Sequence, residues 1–118
     1  MTENSQIQIG NATLDAAKGW FVGASLDKDL GLRHTHDVEL KWSTHLAGEE
    51  RPEWVTKEAR TTVAILISGK YEVMFRDESR ILSSQGDFVM WGKGQDHRGR
   101  ALEDSVILTV RWPSIPRL

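Results

Sequence analysis

The sequence predicts an all-β domain, and three observations support this fold class. Short apolar or alternating segments recur roughly eight to ten times, separated by turn residues at the spacing of a barrel or sandwich. No segment with helical periodicity exceeds about two turns. The chain has 118 residues, 39% of them hydrophobic and 27% charged, which is typical of a globular domain. Nothing marks an internal boundary, so we expect a single domain over residues 1–118.

The first part of the chain gives the weaker signals. Residues 1–12 are polar, and the alternation of Ile7 and Ile9 predicts either a flexible segment or an edge strand. Three short elements are predicted next: a helical turn within residues 13–19, a strand over residues 20–22 and a charged loop over residues 27–31.

The clearest strand runs from Val38 to Leu46, because apolar and polar residues alternate there. One face carries mainly apolar side chains: Val38, Leu40, Trp42, Thr44 and Leu46. The other face carries polar ones: Glu39, Lys41, Ser43 and His45. The polar face of an amphipathic strand normally meets solvent. In a small barrel with a ligand cavity it can instead face inwards, and the alternation does not decide between the two.

Five segments of the second part predict strands, because they are short and rich in β-branched or aromatic residues. They are residues 61–68, 71–75, 81–82, 88–91 and 105–112. Residues 98–104, between the last two, are polar. Pro113 and Pro116 end regular structure.

Composition excludes several kinds of function. The formal net charge is -2 and the basic residues form no run, so we expect neither nucleic acid nor a membrane as a partner. The absence of cysteine excludes disulfides, thiolate metal sites and cysteine nucleophiles. The N-terminal residues show no basic region followed by an apolar one, and residues 63–67 are too short an apolar run to span a bilayer. A cytoplasmic protein is therefore the expectation.

Residues 86–97 carry the most informative pattern. Gly86-Asp87 is a turn pair, residues 88–91 are a short apolar strand, and Gly92 and Gly94 punctuate its far end. His97 is the last residue of the segment, and we expect it at the start of the element that follows the second turn.

This segment resembles the second signature of the cupin superfamily, G(X)5PXG(X)2H(X)3N. Gly86, Gly94 and His97 stand at matching positions, while Gly92 replaces the usual proline and Ala101 the usual asparagine. The resemblance narrows the all-β class to a double-stranded β-helix, the jelly-roll barrel of cupins. It also implies that His97 points into the barrel, where cupins often bind a metal.

The first cupin signature, G(X)5HXH(X)3-4E(X)6G, should end upstream of Gly86, and Gly48 and Gly69 are its natural anchors. Counted back from Gly69, Thr62 takes the glutamate position, and the histidine positions fall within residues 54–58, which contain no histidine. The usual site of three histidines and one glutamate cannot form. The sequence therefore requires no cofactor.

A divalent metal (Fe, Mn, Ni or Zn) remains an alternative with a non-standard ligand set. The candidate ligands are His97, His45 and Glu58. His34-Thr35-His36 is a further H-x-H whose rings would leave one face of a strand, but it lies too early for the signature and is the weaker candidate.

Acid–base chemistry without a metal is the preferred hypothesis. His97 and His45 are the candidate proton-transfer groups, because imidazole titrates near neutral pH. Glu39 would orient a histidine or act as a base, and Lys41 or Arg111 would stabilise an enolate or carboxylate. The alternative is purely structural: a buried pair of Glu39 with Lys41 or with Arg111 in the barrel wall.

Trp54 and Trp91 lie nearest the two signatures among five tryptophans, and either would stack on a planar ligand or simply fill the core. Residues 38–42, 86–91 and 109–114 resemble small stand-alone bacterial cupins, some of which carry the label signal peptidase I. The resemblance implies a small-molecule-binding homodimer. The functional alternatives are an isomerase or lyase acting on a small polar metabolite, a metal-dependent dioxygenase-like cupin, and a non-catalytic ligand sensor or structural dimer.

Overall fold

A computed structural model describes residues 6–116 of the chain. Within this range there are eight strands, whose bounds are β1 Trp20–Val22, β2 Glu39–His45, β3 Thr61–Ser68, β4 Tyr71–Phe75, β5 Ser79–Leu82, β6 Phe88–Trp91, β7 His97–Ala101 and β8 Ser105–Trp112. Helix α1 is a single turn, Ala12–Asp15, and a 3₁₀ helix covers Lys28–Arg33. The predicted all-β class is confirmed.

The strands form two antiparallel sheets. The larger sheet has the order β1-β2-β8-β3-β6 and the smaller has the order β5-β4-β7. The long strands β2, β3 and β8 lie side by side in the larger sheet. Strands β3 and β8 are rich in β-branched and apolar residues that suit a pleated surface, whereas β2 alternates polar with apolar residues. The chain passes from one sheet to the other between β3 and β4, β5 and β6, β6 and β7, and β7 and β8. The two sheets therefore face each other as the walls of a jelly roll.

The hydrophobic core lies between the sheets. It contains side chains from both walls: Ala64, Leu66, Val73, Leu82, Trp91 and Ile107, with Tyr71, Phe75 and Val89 packed against them. Inward positions on β3 are buried at every second residue, as the pleat requires. The same alternation on β2 and β8 places polar side chains next to this core, and these polar positions form the site described below.

Three elements differ from the sequence-based predictions. Residues 6–11 form no strand, so the edge-strand alternative for residues 1–12 is wrong over its described part. Part of the predicted charged loop is helical, because the side chain of Asp27 accepts the N–H of Asp29 and caps the 3₁₀ turn. Strand β7 lies in a polar segment, and its extended state follows from its pairing along the whole of β4.

Gly69 shows why the β3–β4 turn needs glycine. Its φ is +95°, and a Cβ atom there would collide with the carbonyl oxygen of Asp104 and lie 2.6 Å from Cα of Ser105. The turn can therefore lie directly against the start of β8 only without a side chain. Among the described residues, no helix is long and apolar enough to cross a membrane.

Candidate functional site

A cavity of about 540 Å³ lies between the two sheets. The polar face of β2 turns into it, so the inward alternative for this strand is the one the structure shows. From β2 the cavity is lined by Lys41, Ser43 and His45, and from β8 by Ile107, Thr109 and Arg111. The smaller sheet contributes Tyr71, Val73, His97 and Gly99, and the loop before β3 contributes Glu49, Glu50, Arg51 and Val55.

His97 begins β7 and lines the cavity. Its backbone is fixed by a bridge to Val55, with N–H···O distances of 3.2 and 2.8 Å in the two directions. Its ring lies 4.6 Å from that of Trp91, and Nδ1 is 3.4 Å from the carbonyl oxygen of Gln95. Burial lowers the pKa of His97 below 6.5, against weaker opposing effects of the Gln95 carbonyl and the Glu58 carboxylate.

His45 ends β2 and lines the same cavity. Its Nε2 lies 3.0 Å from Oγ of Ser43, and its ring lies 5.2 Å from that of Tyr71. Glu49 is 3.8 Å from Nδ1. Burial lowers the pKa of His45 below 6.5, and the negative charge of Glu49 opposes this shift.

The two histidines come from different strands and share one cavity. The His45 ring contacts the ring of Tyr71, which lies against Gly99, two residues after His97 on β7. The Tyr71 side chain therefore lies on the cavity wall between the two histidine positions.

Four charged residues form a buried cluster behind the cavity wall, which we call the ion quartet: Glu39, Glu58, Arg60 and Arg111. Oε1 of Glu39 forms ion pairs with Arg60 and Arg111, at 3.0 Å from Nε of Arg60 and 2.8 Å from Nε of Arg111. Glu58 pairs with Arg60 at 2.8 Å and with Arg111 at 3.4 Å. Glu39, Glu58 and Arg60 are nearly inaccessible to solvent, so the two carboxylates and two guanidinium groups balance one another in a low-dielectric setting.

The segment after β8 completes the quartet. The hydroxyl of Ser114 donates to Oε2 of Glu39 at 3.0 Å and accepts the N–H of Ala24 at 2.8 Å. Nη2 of Arg60 donates to the carbonyl oxygen of Ile115 at 3.1 Å. These bonds tie three distant parts of the chain to the same wall of the cavity.

The quartet decides where three predicted site residues lie. Glu39 and Glu58 do not line the cavity, since their carboxylates are bonded to Arg60 and Arg111 behind it. The structural alternative for Glu39, a buried pair with Arg111, is what the structure contains. Arg111 does reach the cavity, where its guanidinium lies 4.3 Å from the ring of Trp20, and Lys41 lies 5.5 Å from the same ring.

The two predicted stacking residues differ in position. Trp91 is buried and lines the cavity between Phe75 and His97, with which its ring makes close contacts. Trp54 does not line the cavity, and its ring instead lies 4.2 Å from the guanidinium of Arg76 and 4.9 Å from that of Arg98. A cation–π role explains Trp54 without a ligand.

The residues present do not fit the usual cupin metal site. Thr62, in the glutamate position, is buried, and no group of three or more potential metal ligands occurs within residues 6–116. His34 and His36 contact each other edge to face at 5.5 Å and do not line the cavity. Nδ1 of His34 is 2.8 Å from the carbonyl oxygen of Leu26.

Several cavity residues escaped sequence reasoning, among them Arg51, Tyr71 and Gly99. Tyr71 stood in a predicted strand, and alternation with Val73 places both on one face, but no pattern shows which face is inward. Arg51 lies in an irregular loop, and Gly99 lies in the polar segment that became β7. The register of β4 with β7 brings Tyr71 to Gly99, and a backbone hydrogen bond from Arg51 to Gly99 brings in the loop.

The two sheets and the cavity between them form a small jelly-roll barrel with a cupin-like fold. No protein-family model and no curated protein matches the chain, whereas many solved structures do. KdgF from Halomonas sp. has a TM-score of 0.63 and 25% sequence identity, covering 71% of this chain and 77% of its own. A cupin-2 domain protein from Shewanella frigidimarina has a TM-score of 0.55 and 23% identity, with coverage of 71% and 74%.

An RmlC-like cupin from Shewanella frigidimarina has a TM-score of 0.60 at 15% identity, with coverage of 67% of this chain and 68% of its own. These neighbours confirm the predicted jelly-roll fold of the cupin type.

Replacing Glu39 with Gln should cost about 3 kcal/mol of the free energy of unfolding or more, because the substitution leaves a buried guanidinium without its counter-charge. Urea denaturation measures the loss. Glu78→Gln is the matched control, since Glu78 pairs with Arg80 on the surface, where both side chains are more than half exposed. Equal losses in the two variants would contradict a stabilising role for the quartet.

Both cavity histidines should titrate below pH 6.5, whereas a solvated imidazole titrates near that value. A lowered pKa means that the folded state resists protonation, so this contribution to stability is complete above pH 6.5 and is lost as the pH falls through the folded-state pKa. NMR titration of the imidazole Cε1–H signals measures both values. A midpoint at or above 6.5 for His97 would rule out the buried, neutral ring.

Proposed function

We propose that the cavity binds a small polar metabolite and that His97 and His45 act on it as acid–base groups. The observation that supports this most is that one cavity contains two imidazoles whose pKa values are lowered by burial. A neutral imidazole presents one N–H donor and one basic nitrogen, which general acid–base catalysis requires near neutral pH.

Hydrogen bonding favours one tautomer of each ring. The Gln95 carbonyl next to Nδ1 of His97 favours a proton there and leaves Nε2 as the basic nitrogen. Ser43 donates its hydroxyl to the carbonyl oxygen of Ile107, so its oxygen accepts Nε2–H of His45. The basic nitrogen of His45 is then Nδ1, on the side of Glu49.

Positive charge lies near both histidines, because the charge of Arg111 acts on His97 and that of Lys41 acts on His45. Both cations line the cavity next to Trp20, and the ion quartet holds Arg111 in place. A fixed cation stabilises an enolate or other anion formed by proton removal, and it does so more strongly in a site shielded from water. This proposal needs no metal, and the residues present do not fit the usual metal site, so no step is assigned to one.

We also propose that the chain forms a homodimer through the outer face of the larger sheet. Two rows of apolar side chains cross that face in register: Trp42, Leu108, Ile65 and Phe88, and Leu40, Val110, Val63 and Met90. Phe88 and Met90 are 64% and 52% exposed. An apolar outer face of this extent is typical of a surface buried by another protein.

Light scattering tests the dimer. The wild type should have the mass of two chains, and Phe88→Lys should have the mass of one, because the substitution places a charge in the apolar row. Ile81→Lys is the control, since Ile81 is 53% exposed but belongs to the smaller sheet. A wild type with the mass of a single chain at micromolar concentration would refute the homodimer.

Proton exchange in D₂O tests the acid–base proposal. The wild type is incubated with pyruvate, dihydroxyacetone and glyceraldehyde, and NMR follows the replacement of each C–H proton next to the carbonyl. Catalysed exchange of at least one compound should fall about 100-fold in His97→Asn, the lower range for loss of a general base. His36→Asn, which alters an exposed histidine outside the cavity, should leave the rate unchanged.

Exchange that is equally fast in both variants would contradict a catalytic His97. Shifts of the His97 and His45 signals without exchange of any compound would favour a ligand sensor over an enzyme.

A further inference from the structure

The middle of the cavity contains polar groups that the proposed acid–base chemistry does not use. They belong to Tyr71, whose phenol lies against Gly99, and to Arg51, whose backbone is bonded to Gly99 and whose side chain lines the cavity.

Gly99 gives the Tyr71 side chain its place. A Cβ atom at position 99 would collide with Oη of Tyr71 and would lie 2.7 Å from two carbons of its ring. The ring therefore extends from its own position opposite Ala101 across the backbone of Gly99, towards His97. Within residues 6–116, no hydrogen-bond partner of the Tyr71 hydroxyl is found, so this group is available to a ligand.

Arg51 is brought to the same point by its backbone. Its N–H donates to the carbonyl oxygen of Gly99 at 3.0 Å, and its side chain lines the cavity. Burial raises the pKa of Tyr71 and lowers the pKa of His97, and the guanidinium of Arg51 is close enough to oppose the first shift and to add to the second. Across the described range, no carboxylate lies within 4.0 Å of it, whereas Arg98 and Arg111 are both paired with glutamates.

Negative charge lies beside His45. Glu49 is 3.8 Å from Nδ1 of His45, and its carboxylate disfavours an anion there. Glu49 also acts on Tyr71, where the positive charge of Arg51 has the larger and opposite effect on the phenol pKa. A ligand with one anionic group is therefore favoured with that group next to Arg51 and with an uncharged polar group next to His45. Ala64, Val73 and Ile107 provide an apolar wall between the two.

We propose that Arg51 and Tyr71 form a carboxylate-binding subsite, and that the ligand is a small organic acid with an uncharged polar group at its other end. A guanidinium and a protonated phenol supply only donors to the ligand, and a carboxylate supplies only acceptors, so the two match without a proton shift. This inference rests on the proposed function, because it assigns the class of molecule that the same cavity binds.

A matched pair of probes tests the subsite. 3-Hydroxybutyrate and its neutral amide, 3-hydroxybutyramide, differ only in the charge at one end. Binding is followed by the Cε1–H signals of His45 and His97 in NMR titrations at pH 7. The acid should half-saturate the wild type at a concentration about tenfold lower than the amide, the gain typical of a hydrogen bond to a charged group.

Two variants locate the charge recognition. Arg51→Gln should weaken binding of the acid about tenfold and Tyr71→Phe about threefold, with little effect on the amide. Arg80→Gln is the control, because it removes the same charge from an exposed arginine that does not line the cavity. Thermal unfolding of each variant confirms that the fold is retained.

Gly99→Ala adds a steric test, since the new methyl group displaces the phenol. If this variant folds, it should lose affinity for the acid as Tyr71→Phe does.

The outcomes separate the two levels of the proposal. An amide that binds as tightly as the acid, or an Arg51→Gln variant that binds the acid like the wild type, overturns the carboxylate subsite and leaves the small-molecule cavity standing. If neither probe shifts either histidine signal in the wild type, the subsite is overturned. If pyruvate, dihydroxyacetone and glyceraldehyde also neither exchange protons nor shift the histidine signals, the proposed binding function is overturned as well.

Discussion

The ion quartet of Glu39, Glu58, Arg60 and Arg111 is the constraint on which the rest of the barrel depends. It joins β2 and β8 to the segment that enters β3, and Ser114 and Ile115 attach the end of the described chain to the same cluster. Because the charges balance within the cluster, the barrel can keep a polar wall next to its hydrophobic core without leaving an unpaired charge in the interior.

The polar wall explains why this jelly roll is hollow. A strand such as β2 would ordinarily bury its apolar face, yet here Lys41, Ser43 and His45 face inwards and Trp42 faces outwards. Apolar side chains on the inner face would pack and fill the space, whereas charged and hydroxyl groups keep it open to water or to a ligand. The apolar outer face that results is the surface to which we assign the dimer.

Much of the fold could be predicted because alternation and turn chemistry are local signals. Strands β2, β3, β4, β6 and β8 follow directly from such patterns, whereas His97 was identified through the resemblance of residues 86–97 to a cupin signature. Strand β7 could not be predicted in this way, since His-Arg-Gly-Arg-Ala has no apolar alternation and is extended because it pairs with β4. Alternation also identifies the two faces of β2 without showing which one is inward.

The site could be predicted only in part, because local sequence patterns do not show which distant segments come into contact. His45, Lys41 and Arg111 share predicted faces with other polar residues, so they were found, while the pairing of Glu39 with Arg60 depends on a contact between distant segments. Tyr71 reaches the middle of the cavity only because glycine stands nearby on the adjacent strand. The match between the Tyr71 ring and the missing side chain of Gly99 can be recognised only when the register of β4 with β7 is known.

The central claim is that the imidazole of His97 lies inside a hollow, polar barrel. Hydrogen–deuterium exchange at the imidazole carbon between the two nitrogens, followed by mass spectrometry, compares all four histidines of the chain in one experiment. We expect His97 to exchange several-fold more slowly than the exposed His36, because burial limits the access of water and base to the ring. Equal exchange rates at His97 and His36 would place His97 in bulk solvent and contradict the account.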